Sequence, residues 1–156
     1  MSLKKDNYKA LDKKIMNFAI NLADNNKYFT GTNPSVGCVI VKKEKILSFA
    51  TTYKGGRPHA ESIALSKNKY NNGSTLYSTL EPCSHHGKTP PCTNAIIKNK
   101  IKKVYYSIED KDFRTFNKTK KILKSKNIIS KSGLQKNKVY NLYKEYNFIR
   151  LKKGCL

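Results

Sequence analysis

At 156 residues and 38% hydrophobic content the chain can bury one substantial core but not two, so one domain with one principal site is expected. No apolar run approaches the roughly 18 to 20 residues of a membrane span, and Lys4, Lys5 and Asp6 stand where a secretory signal needs apolar residues, which implies a soluble, cytoplasmic protein. The net charge of +22 has the sign of a nucleic-acid binder, but 29 of 32 basic residues are lysines scattered along the chain and only Arg57, Arg114 and Arg150 are arginines, a pattern that favours a solvated surface attracting small anions over a specific nucleic-acid face.

From Asp6 to Asn26 the residues Leu11, Ile15, Phe18, Ala19 and Leu22 recur at three- and four-residue steps, which predicts a helix of about five turns with one core face. Thr30-Gly31-Thr32-Asn33-Pro34 breaks that pattern. Val36 to Lys42 then reads as a strand buried on both faces, Lys43-Glu44-Lys45 as a turn, and Ile46 to Thr52 as the partner strand of a hairpin. Gly55-Gly56-Arg57-Pro58 leads into a short helix from Ala60 to Asn68, with His59 at its N-terminus and Glu61 in its first turn.

After the turn Asn71-Asn72-Gly73 the expected order is strand Thr75 to Leu80, helix Cys92 to Lys100 started by Pro90-Pro91, and strand Val104 to Ile108. A helix from Lys118 to Lys126, a short strand from Ile128 to Ser130 and a final helix from Leu134 to Leu151 complete the chain. The last helix spaces Val139, Leu142, Tyr143, Tyr146 and Ile149 as its apolar face. Strands alternating with helices after an opening hairpin predict an α/β fold, a three-layer α/β/α sandwich around a mixed five-stranded sheet. One domain is expected over residues 1–151, with residues 152–156 as a short tail.

Of the four cysteines, Cys38 sits in the apolar run Val36-Gly37-Cys38-Val39-Ile40-Val41 and reads as a small buried hydrophobe. Without a secretion signal, metal ligation by some of the cysteines suits better than disulfides do, and Cys155 in the tail is assigned no role. Pro58-His59-Ala60-Glu61 and Glu81-Pro82-Cys83, followed after Ser84-His85-His86-Gly87-Lys88-Thr89-Pro90-Pro91 by Cys92, resemble the signature of the zinc deaminases. That resemblance makes His59, Cys83 and Cys92 the ligands of one Zn²⁺ and Glu61 the general acid and base. Zinc lowers the pKa of its water toward 7, which hydrolysis of an amino group from a ring carbon requires. A structural zinc site completed by His85 or His86 stays open on sequence alone, although Glu61 is a residue that such a site would not need.

Together with Thr32-Asn33-Pro34-Ser35-Val36-Gly37-Cys38 and Thr75-Leu76-Tyr77-Ser78-Thr79-Leu80, these motifs resemble the deaminase domain of the riboflavin-biosynthesis deaminase/reductase family, over about Leu11 to Leu151. The eight residues between Cys83 and Cys92 carry the distinction, since cytidine, deoxycytidylate and tRNA adenosine deaminases commonly have two there. The resemblance implies a cytidine deaminase-like fold and deamination of 2,5-diamino-6-(5-phosphoribosylamino)pyrimidin-4(3H)-one. It implies substrate contacts at Asn33, His85 and Lys88, the last as a point charge for the phosphate.

Asp110 and Asp112 are expected as further contacts, in a segment where the family's two prolines are lost. Thr52 stands where the family often has a second histidine. The family further implies a homo-oligomer and, because the sequence ends near the usual deaminase boundary, deamination without NADPH, with reduction left to a separate polypeptide or to a missing part of a longer chain. Two other readings stay in view: a deaminase of cytidine or deoxycytidylate type, and a non-catalytic zinc module that binds nucleic acid.

Overall fold

The computed structural model describes residues 8–153; Asp6 at the expected start of the first helix and Gly154, Cys155 and Leu156 of the expected tail lie outside the described residues. Helix α1 (Ala10–Asn25) is followed by the hairpin β1 (Gly37–Lys42) and β2 (Lys45–Thr51). Lys43 and Glu44 both take positive φ, 49° and 63°, which suits a two-residue turn whose twist matches the flanking strands. Then come α2 (Ala60–Ser66), β3 (Thr75–Leu80), α3 (Cys92–Lys98), β4 (Lys103–Ile108), α4 (Thr119–Ser125), β5 (Ile129–Ser132) and α5 (Lys136–Lys153).

The five strands form one sheet in the order β2-β1-β3-β4-β5. β1 is antiparallel to both β2 and β3, whereas β3, β4 and β5 run parallel, so the sheet is mixed as the element order implied. Helices α1 and α5 cover one face; α2, α3 and α4 cover the other. The core joins Met16 and Ala19 of α1, Val39 and Ile40 of β1, Leu76 of β3 and Val104 of β4 with Ala64, Ile96, Leu123 and Val139 from the other helices. Cys38 is fully buried in that core, as its apolar context required. No helix among the described residues is long and apolar enough to cross a membrane.

Two details of this packing position the site. A Cβ on Gly37 would lie 1.9 Å from the Ala19 carbonyl oxygen, so a residue without a side chain is what lets α1 seat directly on β1. Above that contact the segment after α1 is pinned from both sides. The Ser35 hydroxyl donates to the Ala23 carbonyl at 2.7 Å, and the buried Tyr143 hydroxyl of α5 donates to the Ser35 carbonyl at 2.7 Å. Thr79 of β3 links to Tyr143 at 2.5 Å and accepts the Gly37 N–H at 3.0 Å, which closes a network between sheet, last helix and strap.

The last helix differs from its expected form. It continues through Lys152 and Lys153, and of its apolar stripe only Val139 and Tyr143 are buried, while Ile149 is 50% exposed. Eighteen helical residues span about 27 Å and a six-residue strand about 20 Å, so the C-terminal turns outrun the sheet they would pack on.

Candidate active site

Three chain segments meet where β3 ends. The short 3₁₀ turn Lys54–Gly56 delivers His59 to the position before α2, and Glu61 follows in the first turn of that helix. β3 runs into Glu81-Pro82-Cys83, and Pro91 precedes α3, whose first residue is Cys92. The Cys92 backbone N–H donates to Cys83 Sγ at 3.2 Å and the Thr93 N–H donates to the Cys83 carbonyl at 3.2 Å, so both ends of the long loop are tied together.

His59 Nδ1 lies 3.5 Å from Cys83 Sγ and 3.4 Å from Cys92 Sγ, and all three ligand atoms fall within 4.8 Å of one another. A tetrahedral ion with Zn–S of about 2.3 Å and Zn–N of about 2.05 Å separates its nitrogen and sulfur ligands by about 3.5 Å, so the donor set fits Zn²⁺ without rearrangement. Hydrogen bonding from Cys92, His59 and the Cys92 N–H holds the Cys83 thiol well below its ordinary range, while that same thiolate, burial and Glu61 push Cys92 up. His59 is raised, by its hydrogen bond to Cys83 first, with burial opposing.

Among the described residues no fourth protein ligand joins this group. His85 Nδ1 is engaged with the Thr115 hydroxyl at 2.8 Å, and His86 is exposed. Three ligands with an open position are the arrangement of a catalytic zinc site, whereas a structural site closes with four. Glu61 stands beside the ligands: it is 3% exposed, its Oε1 accepts the Ser78 hydroxyl at 3.3 Å and its Oε2 lies 3.8 Å from Cys92 Sγ. Burial, above all, raises its pKa, which suits a carboxyl that must take and return a proton near neutral pH.

His59, Glu61 and Cys83 line an open cavity that Asn33 and His85 also line. Asn33 is packed onto Gly56, to whose carbonyl its Nδ2 donates at 3.4 Å. Gly56 has φ +99°, and a Cβ there would lie 2.2 Å from that Nδ2, so glycine is required on both counts. Thr52, in the place of the family's second histidine, is buried and holds the same strap. Its hydroxyl accepts the Val36 N–H at 2.9 Å and donates to the Pro34 carbonyl at 3.2 Å. His85 is lowered by burial first and by the nearby Arg114.

Lys88, Asp110 and Asp112 are placed differently. Lys88 is exposed on the loop and does not line the cavity. Asp110 Oδ1 accepts the Asp112 N–H at 2.9 Å and the Tyr146 hydroxyl at 3.0 Å, and Asp112 takes Arg114 through Nε at 2.9 Å and Nη2 at 2.5 Å. Both aspartates are buried behind the wall, where they shape the loop after β4. Glu81 does line the cavity, accepting the N–H groups of Asp110 at 3.1 Å and Thr119 at 3.3 Å, with its pKa pushed by burial to about 7. Sequence reasoning passed over Glu81 and all three arginines on the wall, Arg57, Arg114 and Arg150. The scarcity of arginine in so lysine-rich a chain was the available signal.

A profile of the cytidine and deoxycytidylate deaminase zinc-binding region matches residues 9–108, and the chain belongs to that family. The riboflavin biosynthesis protein RibD of Aquifex aeolicus is 48% identical over 101 residues, 64% of this chain and 28% of the relative's length. The diaminohydroxyphosphoribosylamino-pyrimidine deaminase of Buchnera aphidicola subsp. Schizaphis graminum is 41% identical over 144 residues, 92% of this chain and 97% of that protein. Among solved structures, RibD of Acinetobacter baumannii superposes with a TM-score of 0.86 at 37% identity, covering 90% of this chain and 40% of its own. The expected cytidine deaminase-like fold is therefore present.

Proposed function

We propose that the chain hydrolyses 2,5-diamino-6-(5-phosphoribosylamino)pyrimidin-4(3H)-one to 5-amino-6-(5-phosphoribosylamino)uracil and ammonia. The observation that carries this reading is the three-ligand centre with Glu61 beside it, its two thiols separated by the long Ser84–Pro91 loop. The match to the Buchnera deaminase over nearly the full length of both chains supports it.

Bound at His59, Cys83 and Cys92, zinc would supply a water acidified toward neutral pH. The remaining work falls to side chains of this chain. Glu61, with Ser78 fixing one oxygen, takes the two protons of the water in turn through the other, passing the first to a ring nitrogen and the second to the departing amine, so that water's oxygen stays on the ring carbon and ammonia is lost. Asn33 and His85 present hydrogen-bonding groups to the cavity and orient the ring and ribose.

Ammonia release from the diaminopyrimidine phosphate by zinc-loaded protein tests the proposal directly. Inactivity of the wild type would sink it, and preference for cytidine or deoxycytidylate in the same assay would move the substrate to those bases. Tight, salt-dependent binding to DNA or RNA that Glu61→Ala leaves intact, with no deamination, would favour a binding module instead. As part of the same proposal the chain works in the cytoplasm as a homo-oligomer, which sedimentation analysis checks.

A further inference from the structure

Arg57, Arg114 and Arg150 are the only arginines among 32 basic residues, and all three line the active-site cavity, which no lysine among the described residues lines. They come from unrelated places: Arg57 precedes α2, Arg114 lies in the loop after β4, and Arg150 belongs to the last turns of α5. Folding alone brings them together. In a chain that uses lysine almost everywhere else, the guanidinium is kept where a planar, forked, permanently charged donor can grip an oxyanion through two parallel hydrogen bonds.

Their charges are under-compensated. Asp112 serves both Arg114, at 2.5 Å, and Arg150, at 3.6 Å. Arg57 donates to the Thr89 hydroxyl at 2.8 Å and makes no ion pair among the described residues. Of the other carboxylates on the wall, Glu81 is committed to backbone N–H groups and Glu61 faces Ser78 and Cys92. Arg150 Cζ also lies over the Tyr146 ring, 5.3 Å from its centroid, a cation–π contact that helps to hold it. Arg114 and Arg150 keep 41% and 23% of their side-chain surface exposed, so an anion in the cavity can reach them.

We infer that Arg57, Arg114 and Arg150 form the subsite for the phosphomonoester of the substrate, with Asp112 as the positioning residue that aims two of the three. This rests on the deaminase reading above and moves the phosphate contact away from Lys88.

The test compares the diaminopyrimidine ribosyl phosphate with its dephosphorylated form. Zinc-loaded wild type favours the phosphate, and Arg57→Gln and Arg150→Gln each cut the ratio of kcat/KM between the two compounds by about 10- to 100-fold through KM, as expected for losing a charge-assisted hydrogen bond. Zinc content and melting temperature identify any variant whose fold has failed. Arg57→Gln is the cleaner of the two, since among the described residues Thr89 is the one hydrogen-bond partner its side chain loses. Wild-type indifference to the phosphate, or a larger loss of preference in Lys88→Ala than in either arginine variant, would overturn the inference while leaving the deaminase intact. Inactivity on both compounds would instead count against the deaminase reading. The arginines are then read by calorimetric binding of ribose 5-phosphate, whose weakening in Arg57→Gln supports the subsite and whose persistence in both variants refutes it.

Discussion

Two walls of one cavity are built on different plans. His59, Glu61, Cys83 and Cys92 come from stretches that begin α2, end β3 and begin α3, so each side chain is set by a local change of element. Arg57, Arg114 and Arg150 come from two loops and the far end of α5, and the contacts that join these segments are remote in sequence: Thr89 to Arg57, and Asp112, which also holds its neighbour Arg114, to Arg150. The chemical wall is thus fixed by local backbone geometry, and the anionic-ligand wall by tertiary packing. Substitutions in the first should strike all-or-none, whereas those in the second should act by degrees.

The largest effect belongs to the ligands. Cys83→Ser or His59→Ala should reduce bound zinc from one per chain to almost none, with loss of activity and of the thermal stabilisation that a bound ion confers, as elemental analysis and melting curves will show. Glu61→Gln should separate chemistry from metal binding. Zinc stays near one per chain, while kcat falls about 10²- to 10⁴-fold with little change in KM, because Glu61 borders the ligands without being one. Loss of zinc in Glu61→Gln would mean that this wall is not divided into ligands and base as the distances imply.

Gly56→Ala probes the hinge between the two walls. The substitution puts an alanine at φ +99° and its Cβ against Asn33, so a cost of about 3 kcal/mol is expected. Chemical denaturation gives the stability, and a rise in KM exceeding the fall in kcat shows that the Asn33 strap has moved while the ligand centre has not.

These contrasts also explain what the sequence disclosed. His59-Ala60-Glu61 and the proline-preceded cysteines were legible because a ligand set on helix starts leaves a linear trace, and the strand-helix alternation left another in the hydrophobic periodicity. Lys88 and the arginines were not legible in the same way. A lysine in the right loop matched a family pattern, yet its side chain ends in solvent, whereas Arg150 lies 93 residues from Arg57 and shares a cavity with it only after α5 has folded back beside β4. Asp110 and Asp112 were expected as substrate contacts; in the fold their hydrogen bonds serve the loop after β4 and, from Asp112, Arg114. Type and position were visible; the direction in which a side chain points was not.

The smallest expected effect is a pH dependence of stability from Asp110, which lies behind the arginine wall. Burial raises its pKa from 3.8 to about 6, against hydrogen bonds from the Asp112 N–H and the Tyr146 hydroxyl that favour the charged form, with Asp112 adding repulsion and Arg150 attraction. The folded state therefore holds this proton more tightly than the unfolded chain does. Its contribution favours folding most at low pH and declines as pH rises through the window from about 4 to about 6, by an amount on the order of 1–3 kcal/mol. Asp110→Asn keeps an oxygen for both donors and has no charge to bury, so it should flatten that decline and be more stable than the wild type above pH 6. Denaturant titrations at pH 4 and pH 7 decide it: equal differences between wild type and variant at the two values would show that Asp110 is ionised in the folded protein throughout, held by Arg150 more strongly than burial opposes.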